Sequence, residues 1–165
     1  MTRQKHILLV EDSSRDAELI LDAFAVTRFA NEVDHVRDGA DALDYLYRRG
    51  AFADRTDAQP ALILLDLKLP RVDGLEVLRR IKSDAVLRVI PVVMMTSSRQ
   101  EQDLVTSYEL GVNAYVVKPM KFQDFVEAVR QVGGFWGGIN EVPGSLHGSE
   151  VAGSSRLPAK AEGPI

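Results

Sequence analysis

The stretch LILLDLKLPRVDG, Leu62 to Gly74, sets the reading of this 165-residue chain. An apolar run that ends in a carboxylate, Asp66, describes a buried parallel strand opening onto a polar rim. Pro70 and Gly74 then stop the strand and turn the chain before a helical pattern begins at Leu75. Ligands of open α/β sheets bind at the carboxyl ends of the strands, which makes Asp66 a candidate site residue. Taken alone, it reads equally well as a helix cap or a solvated strand end.

Other strand ends shift that balance. The run HILLVED carries Ile7 to Val10 into the acid pair Glu11 and Asp12, with Ser13 and Ser14 as candidate N-caps of the next helix. PVVMMTSS ends a strand in Thr96, Ser97 and Ser98, and AYVVKPM ends another in Lys118 and Pro119. If these strands are parallel neighbours, three carboxylates, a hydroxyl and one lysine converge. Clustered carboxylates repel and are tolerated when a hard cation binds them, and an all-oxygen set without His or Cys favours Mg²⁺. Mg²⁺ also takes phosphate oxygens, so the set suits phosphoryl transfer to Asp66 as an in-line nucleophile, giving an aspartyl phosphate.

The joint pattern resembles the receiver domain of two-component response regulators. The matching features, in order, are Glu11 and Asp12, Asp66 before a Pro and a Gly, Thr96, the aromatic Tyr115, and Lys118-Pro119, over about residues 5 to 135. The resemblance implies phosphorylation at Asp66, Asp12 as a direct metal ligand, Glu11 as a water-mediated one, and the Lys68 carbonyl as a third protein ligand. It further implies that Thr96 and Lys118 hold the phosphoryl oxygens and that Tyr115 swings inward as Thr96 is drawn to the phosphate. Each residue also has a plainer reading. Tyr115 would pack on a sheet, Thr96 would be an ordinary strand-end hydroxyl, and Lys118 would be a surface charge. Lys68 departs from the small or amide residue more usual at its position in such domains.

Apolar residues recur at helical spacing at Ala17, Ile20, Leu21 and Phe24, at Ala42, Leu43, Leu46 and Tyr47, and at Val77, Leu78 and Ile81. Leu104, Val105 and Tyr108, and then Phe122, Phe125, Val126 and Val129, complete five helices alternating with strands. Such alternation gives right-handed crossovers and a doubly wound parallel sheet. The mixed segment EVDHV from Glu32 suits an edge strand, and the receiver resemblance implies the strand order 2-1-3-4-5, a flavodoxin-like fold.

With 45% hydrophobic residues the chain can bury one ordinary core. A net charge of -4 and the lack of a basic stripe speak against nucleic acid as partner. No apolar run approaches a membrane span, and no signal peptide is evident, so a cytoplasmic protein with no membrane partner is expected. Residues 1–136 read as the receiver and 137–165 as a Gly/Ser/Pro-rich tail without an effector domain.

Output is therefore expected through protein contact with an unidentified downstream protein. The polar insert Gly50 to Pro60 and the Phe135-Trp136 pair resemble single-domain regulators that partner bacterial phytochromes, a subgroup in which dimers are common. That likeness implies a sensor histidine kinase, a bacteriophytochrome, as phosphodonor. The aromatic pair has little sheet left to cover within one subunit, so a homodimer through the fifth helix and the segment after it is expected. A phosphatase with an aspartate nucleophile is the rival class. Those enzymes resemble one another in a second Asp two residues after the nucleophile, acting as general acid, and at that position this chain has Lys68. A phosphorylation-independent interaction domain would lack the acids or the lysine, and none is missing. The chain is thus expected to catalyse only its own phosphorylation and dephosphorylation.

Overall fold

The computed structural model describes residues 5–26 and 32–143. Five parallel strands, β1 (His6–Val10), β2 (Glu32–Val36), β3 (Leu62–Leu65), β4 (Val92–Thr96) and β5 (Ala114–Val117), form one sheet in the order β2-β1-β3-β4-β5. The solid apolar runs are the inner strands, since β1, β3 and β4 are buried along their whole length, while the mixed segment from Glu32 is the edge. The register pairs Leu8 with Ile63 and Asp34, and Leu65 with Met94.

Helices α1 (Ser14–Val26) and α5 (Phe122–Val132) cover one face, packing Ala17, Ile20, Phe24, Phe125 and Val129 on Ile7, Leu9, Leu64 and Met95. Helices α2 (Gly39–Tyr47) and α3 (Gly74–Ser83) cover the other, packing Leu43, Leu46, Val77, Leu78 and Ile81 on Leu8, Val10, Ile63 and Leu65. Alternate side chains of a strand point to opposite faces, so each inner strand feeds both layers. Local chemistry fixes the helix starts: Ser13 Oγ accepts from Asp16 N–H, Asp38 Oδ1 from Asp41 N–H and Asp73 Oδ1 from Gly74 N–H.

Two apolar patterns behave differently from their helical spacing, and the aromatic pair after α5 differs from its expected exposure. On α4 (Glu101–Glu109), Val105 and Tyr108 face outward and the buried residue is Ser107, whose hydroxyl bonds back to the Asp103 carbonyl. Phe122, grouped by spacing with the core stripe of α5, is the first residue of the helix and is 63% exposed. The chain after α5 continues as a wide helical segment, Gly133–Ile139, which lays Trp136 against the α1/α5 layer. Trp136 thus finds cover within the subunit, whereas Phe135, in edge-to-face contact with it at 5.1 Å, stays half exposed. A side chain at Gly133 would overlap the ring of Phe24, so glycine lets this segment pass close to α1 without displacing that ring. Lys5 then ties the chain start to the Asn140 carbonyl at 2.9 Å and to Glu141 at 3.4 Å. The tail beyond residue 143 lies outside the described residues. Among the described residues no helix is long and apolar enough to cross a membrane.

Candidate functional site

The parallel arrangement brings the carboxyl ends of β1, β3, β4 and β5 to one rim, and the expected acids and lysine meet there. Glu11 and Asp12 follow β1, Asp66 follows β3, Thr96 closes β4 and Lys118 follows β5. One carboxylate oxygen from each of Glu11, Asp12 and Asp66 lies within 4.8 Å of the others. Glu11 and Asp66 are buried, and Asp12 is exposed.

Backbone ladders fix the two buried acids. Glu11 N–H donates to Val36 and Asp66 N–H to Val10, both at 3.1 Å, so each carboxyl is held where a strand leaves the sheet. Asp66 Oδ1 accepts from the Leu67 N–H at 2.7 Å and Glu11 Oε1 from the Ser13 N–H at 3.1 Å. Gly74 closes the loop that follows Asp66, its N–H reaching the Leu67 carbonyl at 2.8 Å. A side chain at Gly74 would overlap the Asp66 carbonyl, so this glycine does more than punctuate the turn: it lets the helix start lie directly beneath the acceptor loop.

Lys118 Nζ bridges the cluster, donating to Glu11 Oε2 at 2.8 Å, Asp66 Oδ2 at 2.9 Å and Asp16 Oδ2 at 2.8 Å. Burial alone would push the ammonium towards its neutral form. The bonds to Asp16 and Glu11 and the charge of Asp66 outweigh that and hold it above the ordinary lysine range. Glu11 moves the other way. Burial, aided by the nearby Asp66 charge and opposed by Lys118, raises it to about 7. An acid crowded by another acid in a buried rim is what a bound cation would relieve, and the all-oxygen donor set fits a hard divalent ion.

Thr96 is buried at the rim, its Oγ1 accepting from the Ser98 N–H at 3.3 Å. Tyr115 is half-buried against the α2/α3 layer and donates its hydroxyl to the Ser98 carbonyl at 3.2 Å, while Ser98 Oγ donates to Asp103 at 2.6 Å. Ser98 therefore links Thr96, Tyr115 and the first turn of α4. The Lys68 side chain is exposed and stands apart from these contacts. Asp16 was not foreseen as part of the site. Its position three residues after the capping Ser13 looks like an ordinary first-turn acid, and only the fold brings it to a lysine 102 residues away.

Residues 7–130 match the model of the response regulator receiver domain. The chain belongs to the response regulator receiver family. Its place is in two-component phosphorelay signalling. The probable methanogenesis regulatory protein FilR2 of Methanothrix harundinacea is 44% identical over 138 residues, which cover 84% of this chain and 87% of that protein. The response regulator Rcp1 of Synechocystis is 41% identical over 132 residues, 80% of this chain and 88% of that protein. Rcp1 has been solved in a Mn²⁺-bound form, with a TM-score of 0.79 at 40% identity over 84% of this chain and 99% of that one. The bacteriophytochrome response regulator RtBRR is 58% identical and superposes with a TM-score of 0.69, covering 86% of each chain. The all-oxygen acid cluster of this chain is consistent with a divalent cation, and the relative Rcp1 is one that binds Mn²⁺.

Proposed function

We propose that the protein accepts a phosphoryl group on Asp66 from a sensor histidine kinase, with Mg²⁺ held by Asp12, Asp66 and the Lys68 carbonyl, and by Glu11 through water. The observation that carries this reading is the single lysine held at 2.8 and 2.9 Å from two buried acids, with a third acid beside them. A divalent ion there would neutralise the charge of the acids and of the incoming phosphoryl oxygens. An Asp66 carboxylate oxygen attacks phosphorus while the P–N bond to the donor imidazole breaks and its electron pair returns to the ring nitrogen. Lys118 then moves its hydrogen bonds from the acids to the new phosphoryl oxygens, and the Thr96 hydroxyl supplies another donor. Drawing Thr96 inward loosens its bond from Ser98 and frees the Ser98 carbonyl from Tyr115, so Tyr115 can turn into the sheet edge. The altered α4-β5-α5 surface is the signal that a downstream protein reads.

The likeness to RtBRR supports a bacteriophytochrome as the kinase, although FilR2, named for a different process, is also close. A homodimer through α5 and the segment after it is supported by the exposed Phe122, Phe135 and Ile139. A phosphatase reading has no support at position 68, where Lys68 occupies the place of a general acid.

The test is intact mass spectrometry after incubation with acetyl phosphate and Mg²⁺. The parent should gain one phosphoryl adduct, and Asp66→Asn or the parent in chelator should not. An undiminished adduct on Asp66→Asn would move the acceptor elsewhere.

A further inference from the structure

The opposite end of the sheet carries a second constellation that phosphoryl transfer does not use. His6 opens β1 with its side chain nine-tenths buried, and its Nε2 has no hydrogen-bond partner. Asp57 Oδ2 approaches that nitrogen to 3.4 Å. One oxygen each from Asp34 and Asp57 and a ring nitrogen of His6 all lie within 4.8 Å of one another. The parallel register explains the convergence. Asp34 pairs with Leu8, and His6, two residues before Leu8, points to the same face of the sheet.

An outer layer of donors holds both carboxylates, and for Asp57 it takes Oδ1 and leaves Oδ2 facing His6. Tyr45 donates to Asp34 Oδ2 at 2.5 Å, and Arg55 Nη1 donates to Asp57 Oδ1 at 2.8 Å. Arg55 is itself locked, with its guanidinium 3.9 Å from the Tyr45 ring centre and bonded to the carbonyls of Tyr45 and Ala58. Tyr45, Asp34, Asp57, Phe52 and Thr56 line a groove of about 490 Å³ beside the cluster, through which a small solute can enter.

We propose that His6, Asp34 and Asp57 form a binding site for a transition-series divalent cation, with Zn²⁺ the best match. Ligands of a tetrahedral Zn²⁺ at roughly 2.0–2.2 Å stand about 3.3–3.6 Å from one another, the spacing already present between His6 Nε2 and Asp57 Oδ2. An imidazole in the set selects against Mg²⁺ and Ca²⁺, and orienting partners on the carboxylates are the usual outer shell of such a centre. Burial holds His6 below its ordinary value, against the charges of Asp57, Asp34 and Glu32 and together with that of Arg55, so the ring is a neutral donor. Three protein ligands leave a position for water at the groove. The cation would pin the segment between Gly50 and Pro60 to the edge of the sheet.

The test is calorimetric titration of the full chain with Zn²⁺ in excess Mg²⁺, which keeps the acid rim occupied, followed by Co²⁺ absorption as a probe of coordination. The parent should bind one equivalent and give the visible bands of four-coordinate Co²⁺. Asp57→Asn and His6→Gln should each weaken binding by about tenfold or more, and Tyr45→Phe by about tenfold. Phosphorylation in Mg²⁺ should be unchanged in Asp57→Asn. A parent that binds no Zn²⁺ in Mg²⁺, or binding equally tight in Asp57→Asn, overturns the site. Asp57 is half exposed, so its variant folds and decides the matter even if His6→Gln does not.

Discussion

Both ends of the sheet set carboxylates against a long basic side chain, Lys118 at one and Arg55 at the other, yet the two basic groups are held in opposite ways. At the carboxyl end Lys118 touches Glu11, Asp16 and Asp66 through a single ammonium. At the amino end Arg55 spends its fork on Asp57, Gln59 and the carbonyls of Tyr45 and Ala58, and stacks on Tyr45. An ammonium on a flexible stem can exchange one anion for another without rebuilding the backbone, whereas a fork bonded to several backbone carbonyls cannot leave without unfolding its loop. The lysine end is therefore built for exchange and the arginine end for fixed geometry.

Swapping the roles should break that contrast most visibly. Lys118→Ala removes the donor proposed for the phosphoryl oxygens, and phosphorylation by acetyl phosphate in saturating Mg²⁺ should slow by on the order of 100-fold or more. Arg55→Ala should leave that rate within a few-fold while lowering stability by about 2 kcal/mol or more, because the part-buried carbonyls of Tyr45 and Ala58 lose their donor. Stopped-flow rates and urea midpoints on both variants check this. A rate loss in Arg55→Ala as deep as in Lys118→Ala would mean that the insert shapes the acceptor site.

The next largest effect is in the pH dependence of the free protein in chelator. Glu11 is held up to about 7 in the fold against an ordinary 4.5. The folded state thus binds more protons than the unfolded one between those values. This contribution is fully present below about 4.5 and lost as pH rises through about 7, on the order of a few kcal/mol at most. Glu11→Gln should flatten the fall in urea midpoint between about pH 5 and 8. A parent whose stability is level across that range would show that Lys118 keeps Glu11 ionised throughout.

The two ends also differ in how far the sequence discloses them. The acid pair, Asp66, Thr96 and Lys118 each close an apolar run, and the strand ends of one parallel sheet must share a rim, so their meeting follows from period and punctuation. His6, Asp34 and Asp57 sit at the start of a strand, the middle of an edge strand and inside an insert, and no spacing rule joins them. Helical periodicity places Phe125 and Val129 on the core face, but it does not say that Phe122, one turn earlier at the helix start, lies outside the core. For Trp136 the missing fact is that the helical path continues to Ile139, which the glycines on either side of the aromatic pair conceal from propensity.

Asp16 sharpens the exchange idea by a smaller effect. It holds Lys118 in the resting protein and has no place in the proposed cation shell, so Asp16→Ala should change the phosphorylation rate by less than about tenfold and leave Mg²⁺ affinity intact. Fluorescence titration with Mg²⁺ beside the rate measurement separates the roles. A loss of Mg²⁺ affinity comparable to that of Asp12→Ala would make Asp16 a ligand and not a clamp on the lysine.

The smallest effect belongs to the amino end, and its sign is opposite to that of Glu11. Burial lowers His6 below 6.5, with Asp57, Asp34 and Glu32 limiting the shift and Arg55 adding to it. The unfolded chain then binds the His6 proton more readily than the fold does. Its contribution is fully present above about 6.5 and lost as pH falls through the lower folded value. The stability difference between the parent and His6→Gln should therefore grow as pH rises towards about 6.5 and level off beyond it, because glutamine does not titrate. Urea midpoints of the two proteins in chelator, compared pH by pH, measure this directly. A difference that shrinks with rising pH would mean that His6 is charged in the fold and paired with Asp57, and the Nε2 lone pair on which a transition-metal site depends would then be occupied by a proton.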